Sequence, residues 1–153
     1  MGYIVRTAAE DDMPRILEIE REAISPPWPH GALLAELYRE DSLFLAAIGS
    51  GEAAIGFCIL RRMADEGELL QIAVDKTHRK HGAADALMHG ALIWAGEQGL
   101  LSMFLEVRLS AVAAISLYEK HGFESVRVRK GYYTHPAEDA MVMTRRMQIK
   151  VQT

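Results

Sequence analysis

The stretch that most limits what this chain can fold into runs from Leu69 to Glu97. Leu69–Val74 is a short apolar run of strand character, and Arg79-Lys80-His81-Gly82-Ala83-Ala84 follows as a basic loop with glycine. Ala83, Leu87, Ala91, Trp94 and Ala95 then recur at helical spacing. Strand, loop and helix in that order bring the start of the helix back beside the end of the strand. The first N–H groups of a helix lack partners and carry the positive end of its dipole. With Arg79 and Lys80 nearby they form a cradle for a pyrophosphate, so a nucleotide-like cofactor is the expectation.

The remaining segments arrange around this unit. Tyr3–Thr7 reads as a strand. Asp11 or Asp12 caps a helix with Pro14 in its first turn and Ile16, Leu17, Ile19, Glu20 and Ala23 following, until Pro26-Pro27-Trp28-Pro29 breaks it. Gly31–Arg39 supplies a second helix. Leu43–Ile48 and Ala53–Arg62 flank Gly49-Ser50-Gly51 as a hairpin, and Asp65-Glu66-Gly67 offers a further turn before the strand Glu68–Val74. The helix Gly82–Glu97 stops at Gly99. Ser102–Val107 alternates with a period of two, and a βαβ crossover makes it parallel to Glu68–Val74. Ser110 caps a helix over Ala111–His121 that Gly122 closes, and Phe123–Tyr133 and Ala140–Met147 form two final strands around a loop with Pro136. The order β-α-α-β-β-β-α-β-α-β-β describes an α+β fold, a mixed sheet with helices packed on it. No linker divides it, so residues 1–153 read as a single domain.

A chain of 153 residues that is 50% hydrophobic and 25% charged can bury a core without disulfide or metal staples. A net charge of −4 disfavours a general nucleic-acid binder, which needs basic residues spread over a face, and the runs Arg79-Lys80-His81, Arg127-Arg129-Lys130 and Arg145-Arg146 are short. No secretory pattern opens the chain, and no apolar run approaches the ~20 residues that span a bilayer, so a cytoplasmic protein with no membrane partner is expected. Cys58 lies in the apolar run Ile55–Leu60 and reads as a buried structural thiol rather than a nucleophile. The six histidines and one cysteine include no ligand-spaced pair on a helix, so no metal site is expected.

Gln71-Ile72-Ala73-Val74, Arg79-x-x-Gly82-x-Ala84, Leu105-Glu106-Val107-Arg108 and Leu117-Tyr118-Glu119-x-x-Gly122-Phe123, in this order of elements, resemble the GCN5-related N-acetyltransferase (GNAT) superfamily over nearly the whole chain. The Arg129-Lys130-x-Tyr132-Tyr133 run and Glu138-Asp139-Ala140 add a likeness to the bacterial subgroup that acetylates the N-terminal alanine of a small-subunit ribosomal protein. The resemblance implies a GNAT fold whose two parallel strands splay apart, acetyl-CoA as donor, a primary amine as acceptor, and a monomer or homodimer. It implies that Arg79, Lys80, His81, Gly82, Ala83 and Ala84 hold the pyrophosphate, while the pantetheine arm runs along Ile72, Ala73 and Val74. Unpaired backbone groups on splayed strands would bond the amides of that arm, and a backbone N–H near Val74 would polarise the thioester carbonyl. The pattern departs from the family at Ala84, at Ala111 where relatives carry asparagine, and in the absence of a proline after Asp75.

Direct acyl transfer needs an uncharged amine and a proton for the departing thiolate. An α-amine has a reference pKa of ~7.7–8.0, so a weak base acting through water suffices. Glu106 stands in an otherwise apolar strand and matches the family's general base; its alternative is an ion pair with Arg108. Tyr118 matches the tyrosine that protonates the thiolate, and its alternative is a core tyrosine. His81 and His121 read as surface histidines. Trp28, Tyr132 and Tyr133 would line the acceptor groove unless they only pack, and Glu20, Glu138 and Asp139 would meet an Arg-rich peptide tail. The reading is a protein N-terminal acetyltransferase acting by direct transfer. Its rivals are a lysine, polyamine or small-amine acetyltransferase, and a CoA-binding sensor without turnover.

Overall fold

The computed structural model describes residues 2–148. Its elements are β1 (Ile4–Thr7), α1 (Met13–Ala23), α2 (His30–Tyr38), β2 (Ser42–Ile48), β3 (Ala54–Met63), β4 (Glu66–Val74), α3 (Ala83–Glu97), β5 (Ser102–Arg108), α4 (Val112–Lys120), β6 (Glu124–Thr134) and β7 (Ala137–Arg146). The order is the expected one, with ends displaced by a few residues. The seven strands form one sheet in the order β1-β2-β3-β4-β5-β7-β6. All neighbours are antiparallel except β4 and β5, the parallel pair on either side of α3.

The two faces of the sheet carry separate cores. On one, Leu45, Leu60, Leu69, Met103, Leu105 and Phe123 pack with Ala83, Leu87, Ala91 and Ala95, a row of small and medium side chains that seats α3 close to the strands. On the other, Met13, Ile16 and Ile19 of α1 and Leu33 of α2 meet Phe44, Phe57 and Ile59. Each such side chain contributes roughly 1.5–3 kcal/mol by leaving water.

Three local expectations change. The turn before β4 is Ala64 and Asp65, with Ala64 at φ +56°, and Gly67 already lies in the strand opposite Arg62. Glycine is needed there for space: a Cβ would sit 2.5 Å from Met103 Sδ and 2.9 Å from Leu100 Cδ1. Asp12 precedes α1, but its carboxylate turns back to accept from the Ala9 N–H at 2.8 Å and to pair with Arg6 at 2.7 Å. Ser110 does not cap α4. Ala111 holds the cap position, while the Ser110 N–H and hydroxyl both donate to Glu138, at 2.7 and 3.0 Å.

The site is set up by the short pairing of β4 with β5. Only Glu66, Gly67 and Glu68 pair, with Ser102, Met103 and Phe104. Yet β5 stays paired with β7 as far as Arg108, and β4 with β3 as far as Val74. Beyond Glu68 and Phe104 the facing edges therefore splay into a seam with free backbone groups. Within it, Leu69 pairs with Leu60 and Gln71 with Ile59, which leaves Leu70 as the extra residue of a bulge. The bulge reverses the alternation, turning Gln71 toward α1 while Ile72 and Val74 pack on the α3 face.

Candidate active site

A cavity of about 470 Å³ opens at the seam. Ile72, Ala73, Val74, Arg79, Lys80, Gly82, Ala83, Ala84 and Tyr118, all singled out from sequence, line it together. His81 stands in the same loop but is exposed and outside the lining. Sequence reasoning missed the rest of the wall: Ala23 and Ile24 at the end of α1, His78 and Asp85, and Ala113, Ala114 and Leu117 of α4. The small residues of α4 follow helical spacing, which is the one signal that could have found them.

The loop is built to present backbone donors. Asp75 accepts from the Thr77 N–H at 3.1 Å and pairs with Arg15 at 2.7 Å, which fixes the strand exit against α1. Gly82 then takes φ +91°, a left-handed conformation that admits glycine without strain, immediately before α3. The first intrahelical bond runs from the Ala86 N–H to the Gly82 carbonyl, so the N–H groups of Ala83, Ala84 and Asp85 have no partner within the helix. Arg79 donates through Nε to the Val74 carbonyl at 3.0 Å and reaches Glu22 at 3.3 Å. The Asp85 carboxylate is drawn aside by His121 at 2.8 Å and Lys120 at 3.1 Å. His121 is accordingly a tie between α3 and α4 and not a plain surface histidine. Free donors, positive charge and an apolar slot bounded by an unpaired strand edge fit a phosphate-bearing ligand with an amide-containing arm.

Tyr118 and Glu106 stand on opposite faces of the sheet at this seam. Tyr118 belongs to the α3–α4 core, edge-on to Phe123, with burial and then the Tyr133 and Cys58 charges pushing its phenol up. It is thus kept protonated. Leu105 and Val107 point into the same core, so Glu106, alternating between them, points the other way. Its surroundings are polar, unlike the apolar setting expected from the strand. Oε1 accepts from Arg129 Nη1 at 2.7 Å, while Oε2 is buried without a partner. The partner is Arg129 and not Arg108, because β5 and β6 both pair with β7 and this brings Arg129 beside Glu106; Arg108 instead bonds Glu138 and the Pro136 and His135 carbonyls. Burial, the Glu106 carboxylate and Tyr133 push the Tyr132 phenol up to about 12, and burial with Glu106 raises Tyr133 as well. Arg129 lies over the Tyr132 ring at 4.5 Å and Arg108 over Tyr133 at 4.2 Å. Burial and Glu106 also push Glu68 up, with Arg61 pulling it back.

The other acceptor-side residues are distributed differently from expectation. Trp28 is half-buried and packs on the α1–α2 core, and its backbone N–H donates to Glu20 at 2.8 Å. Glu20 is 1% exposed, Glu138 is engaged by Arg108 and Ser110, and Asp139 accepts from the Gly131 N–H. These three carboxylates therefore do not form an open acidic surface. Cys58 is fully buried and its thiol is pushed up to about 12 by that burial, which leaves it inert.

Residues 13–123 match the model of the acetyltransferase (GNAT) family. A [ribosomal protein bS18]-alanine N-acetyltransferase of Haemophilus influenzae is 37% identical over 86% of this chain and 90% of its own length. The Escherichia coli K12 enzyme of the same name is 34% identical over 86% and 89%. The crystal structure of the ribosomal-protein-S18-alanine N-acetyltransferase from Escherichia coli superposes with a TM-score of 0.88 at 29% identity, covering 99% of this chain and 97% of that one. Ard1 from Thermoplasma volcanium gives 0.88 at 26%, covering 97% and 100%. Splayed parallel strands, a left-handed glycine opening α3 and matched relatives agree: the chain belongs to the GNAT acetyltransferase family, an N-acetyltransferase with acetyl-CoA as its donor.

Proposed function

We propose that this protein acetylates the N-terminal alanine of a small-subunit ribosomal protein in the cytoplasm, by direct transfer without an acyl-enzyme. The observation that carries the reaction is the seam between β4 and β5, with a carboxylate on one face, a phenol on the other and the cavity against the phenol. The names borne by relatives at 34–37% identity support the acceptor. Bound acetyl-CoA supplies an acetyl thioester; the rest of the work falls to this chain. Arg79, Lys80 and the free N–H groups at the start of α3 hold the phosphates, and the unpaired edge of β4 past Leu69 fixes the arm. An N–H on that edge near Val74 faces the developing oxyanion. Glu106 takes the proton from the amine, through water, as the nitrogen–carbon bond forms. Tyr118 gives its phenolic proton to the sulfur as the carbon–sulfur bond breaks. Trp28, Tyr132 and Tyr133 border the peptide's path on the α1 face.

The test is a competition read by mass spectrometry. The protein is incubated with acetyl-CoA and a mixture of alanine-terminal peptides, lysine peptides with blocked termini, and polyamines. Selective acetylation of the alanine terminus is expected. Labelling of lysine or polyamine alone overturns the acceptor, and no labelling despite CoA binding overturns turnover itself.

A further inference from the structure

The β6–β7 hairpin runs past the end of β5. The last rung of β5 pairs Arg108 with Ala140, and Arg129 of β6 pairs with the same alanine from the other side, so residues 130–139 project beyond β5 as a two-stranded tip. Their own pairing is irregular: Lys130, Gly131 and Tyr132 stand between the Arg129–Ala140 and Tyr133–Glu138 rungs, against Asp139 alone. Gly131 bends there at φ +65°, and its N–H donates to Asp139 Oδ1 at 2.8 Å. A two-stranded ribbon by itself is marginal in water, so the position of this tip has to be set by contacts from outside it.

Arg108 supplies such contacts. Its Nη1 donates to the Pro136 carbonyl at 2.9 Å and to Glu138 Oε1 at 3.3 Å, its Nη2 donates to the His135 carbonyl at 3.0 Å, and the guanidinium lies over the Tyr133 ring at 4.2 Å. Glu138 is held from its other side by the Ser110 N–H at 2.7 Å and the Ser110 hydroxyl at 3.0 Å. Only 20% of the Arg108 side chain and 21% of that of Glu138 stay exposed, so the pair is more than a surface ion pair. From Tyr133 the packing continues edge-on to Tyr132, with ring centroids 5.0 Å apart, and then to Arg129, which lies over Tyr132 and returns to Glu106 at 2.7 Å. Glu106 and Arg108 leave the same face of β5 two residues apart. The circuit that starts at Arg108 therefore closes on Glu106.

We propose that Arg108 is a positioning residue for acceptor binding: its guanidinium fixes the hairpin tip, and with it Tyr132 and Tyr133, beside Glu106. This rests on the reading that the acceptor peptide passes Tyr132 and Tyr133 to present its amine at Glu106. The task needs a planar fork. Two N–H arms reach successive carbonyls while the flat face lies on the Tyr133 ring. A lysine ammonium keeps the charge but is a single point on a flexible stem and cannot do both. Without the fork the tip loses its fixed position, and an arriving peptide must order it, which weakens binding. No residue of the tip lines the cavity at the seam, so the donor is indifferent to it.

The experiment is Arg108→Lys, read in two ways against the wild type. Steady-state kinetics use acetyl-CoA and a short peptide with N-terminal alanine, and hydrogen exchange of the free protein follows residues 130–139 by mass spectrometry. The KM for the peptide is expected to rise about tenfold, with kcat and the KM for acetyl-CoA near their wild-type values, and exchange is expected to quicken in the tip but not in α3. An unchanged peptide KM, a loss confined to kcat, or KM values that rise together for both substrates overturns the proposal, as does exchange that quickens throughout the chain or nowhere. If Arg108→Lys does not fold, Glu138→Gln takes its place, since it removes the charged partner of Arg108 and still accepts from Ser110. The same pattern at about threefold is then expected, and its absence overturns the proposal. If the wild type acetylates lysine peptides and not alanine termini, the ribosomal acceptor fails by itself, and the same comparison with the lysine peptide decides for or against Arg108. A wild type that takes only polyamines, or no amine at all, has no peptide passing the tip and overturns both readings.

Discussion

The two faces of the sheet solve different problems with different materials. On the α3–α4 face, the cavity proposed for the donor is made of backbone and small side chains: a left-handed glycine, free N–H groups at a helix start, an unpaired strand edge and an alanine-lined slot. On the α1 face, the side proposed for the acceptor is made of charged and amide groups, some buried and some at the rim, most of them joined between elements distant in the chain. Glu20 meets Gln71, Arg129 meets Glu106, Arg108 meets Glu138, and Glu36 meets both Arg61 and Ser42. Recognising a cofactor with many amides and phosphates can thus be delegated to main chain. Choosing and deprotonating an amine needs side chains held in place by other side chains.

If that division is right, variants on the two faces fail in different ways. The largest effect expected is on the α1 face: Glu106→Gln lowers turnover at neutral pH by ~10²–10⁴-fold with little change in the KM for acetyl-CoA, as steady-state kinetics would show. On the other face, Gly67→Ala forces a methyl group into Met103 and Leu100. It should cost about 1–3 kcal/mol in denaturant unfolding and leave the kinetics of the folded protein alone. Gly82→Val strains the φ +91° position of the cradle and should raise the KM for acetyl-CoA about tenfold while sparing kcat. The smallest effect concerns Asp12, whose carboxylate Arg6 holds below the usual range. Its folded pKa is depressed, so its contribution is fully present above the ordinary carboxylate range and disappears as pH falls through the folded value. Asp12→Asn should cost about 1 kcal/mol at pH 7, with the wild-type and variant melting curves converging in acid.

What could be read from sequence follows the same division. The element order, the parallel β4–β5 pair and the gathering of the Arg79–Ala84 loop with Ile72–Val74 around one cavity were legible because they rest on local signals: strand and helix periods, a glycine at a helix start, a basic loop. The partners of Glu106 and Glu138 were not, since they depend on register between strands more than twenty residues apart, and pairing through β7 brings Arg129 to Glu106 where proximity in sequence pointed to Arg108. The bulge at Leu70 left no mark in composition, yet it alone turns Gln71 toward Glu20. Gly67 was read as a turn residue because glycine serves turns and tight packing alike, and only the nearness of Met103 tells them apart. Ser110 and Asp12 have the right chemistry to cap helices, but Glu138 and Arg6 compete for them.

On the proposed mechanism the two faces do separate proton work, Glu106 on the amine and Tyr118 on the sulfur. Turnover of Glu106→Gln and Tyr118→Phe is measured with two acceptor peptides, one with N-terminal alanine and one with N-terminal trifluoroalanine, whose amine is already neutral at pH 7. The fluorinated peptide is expected to restore much of the loss in Glu106→Gln and none of it in Tyr118→Phe. Equal response of the two variants, whether both are rescued or neither is, would contradict the assignment of base and acid to opposite faces of the seam.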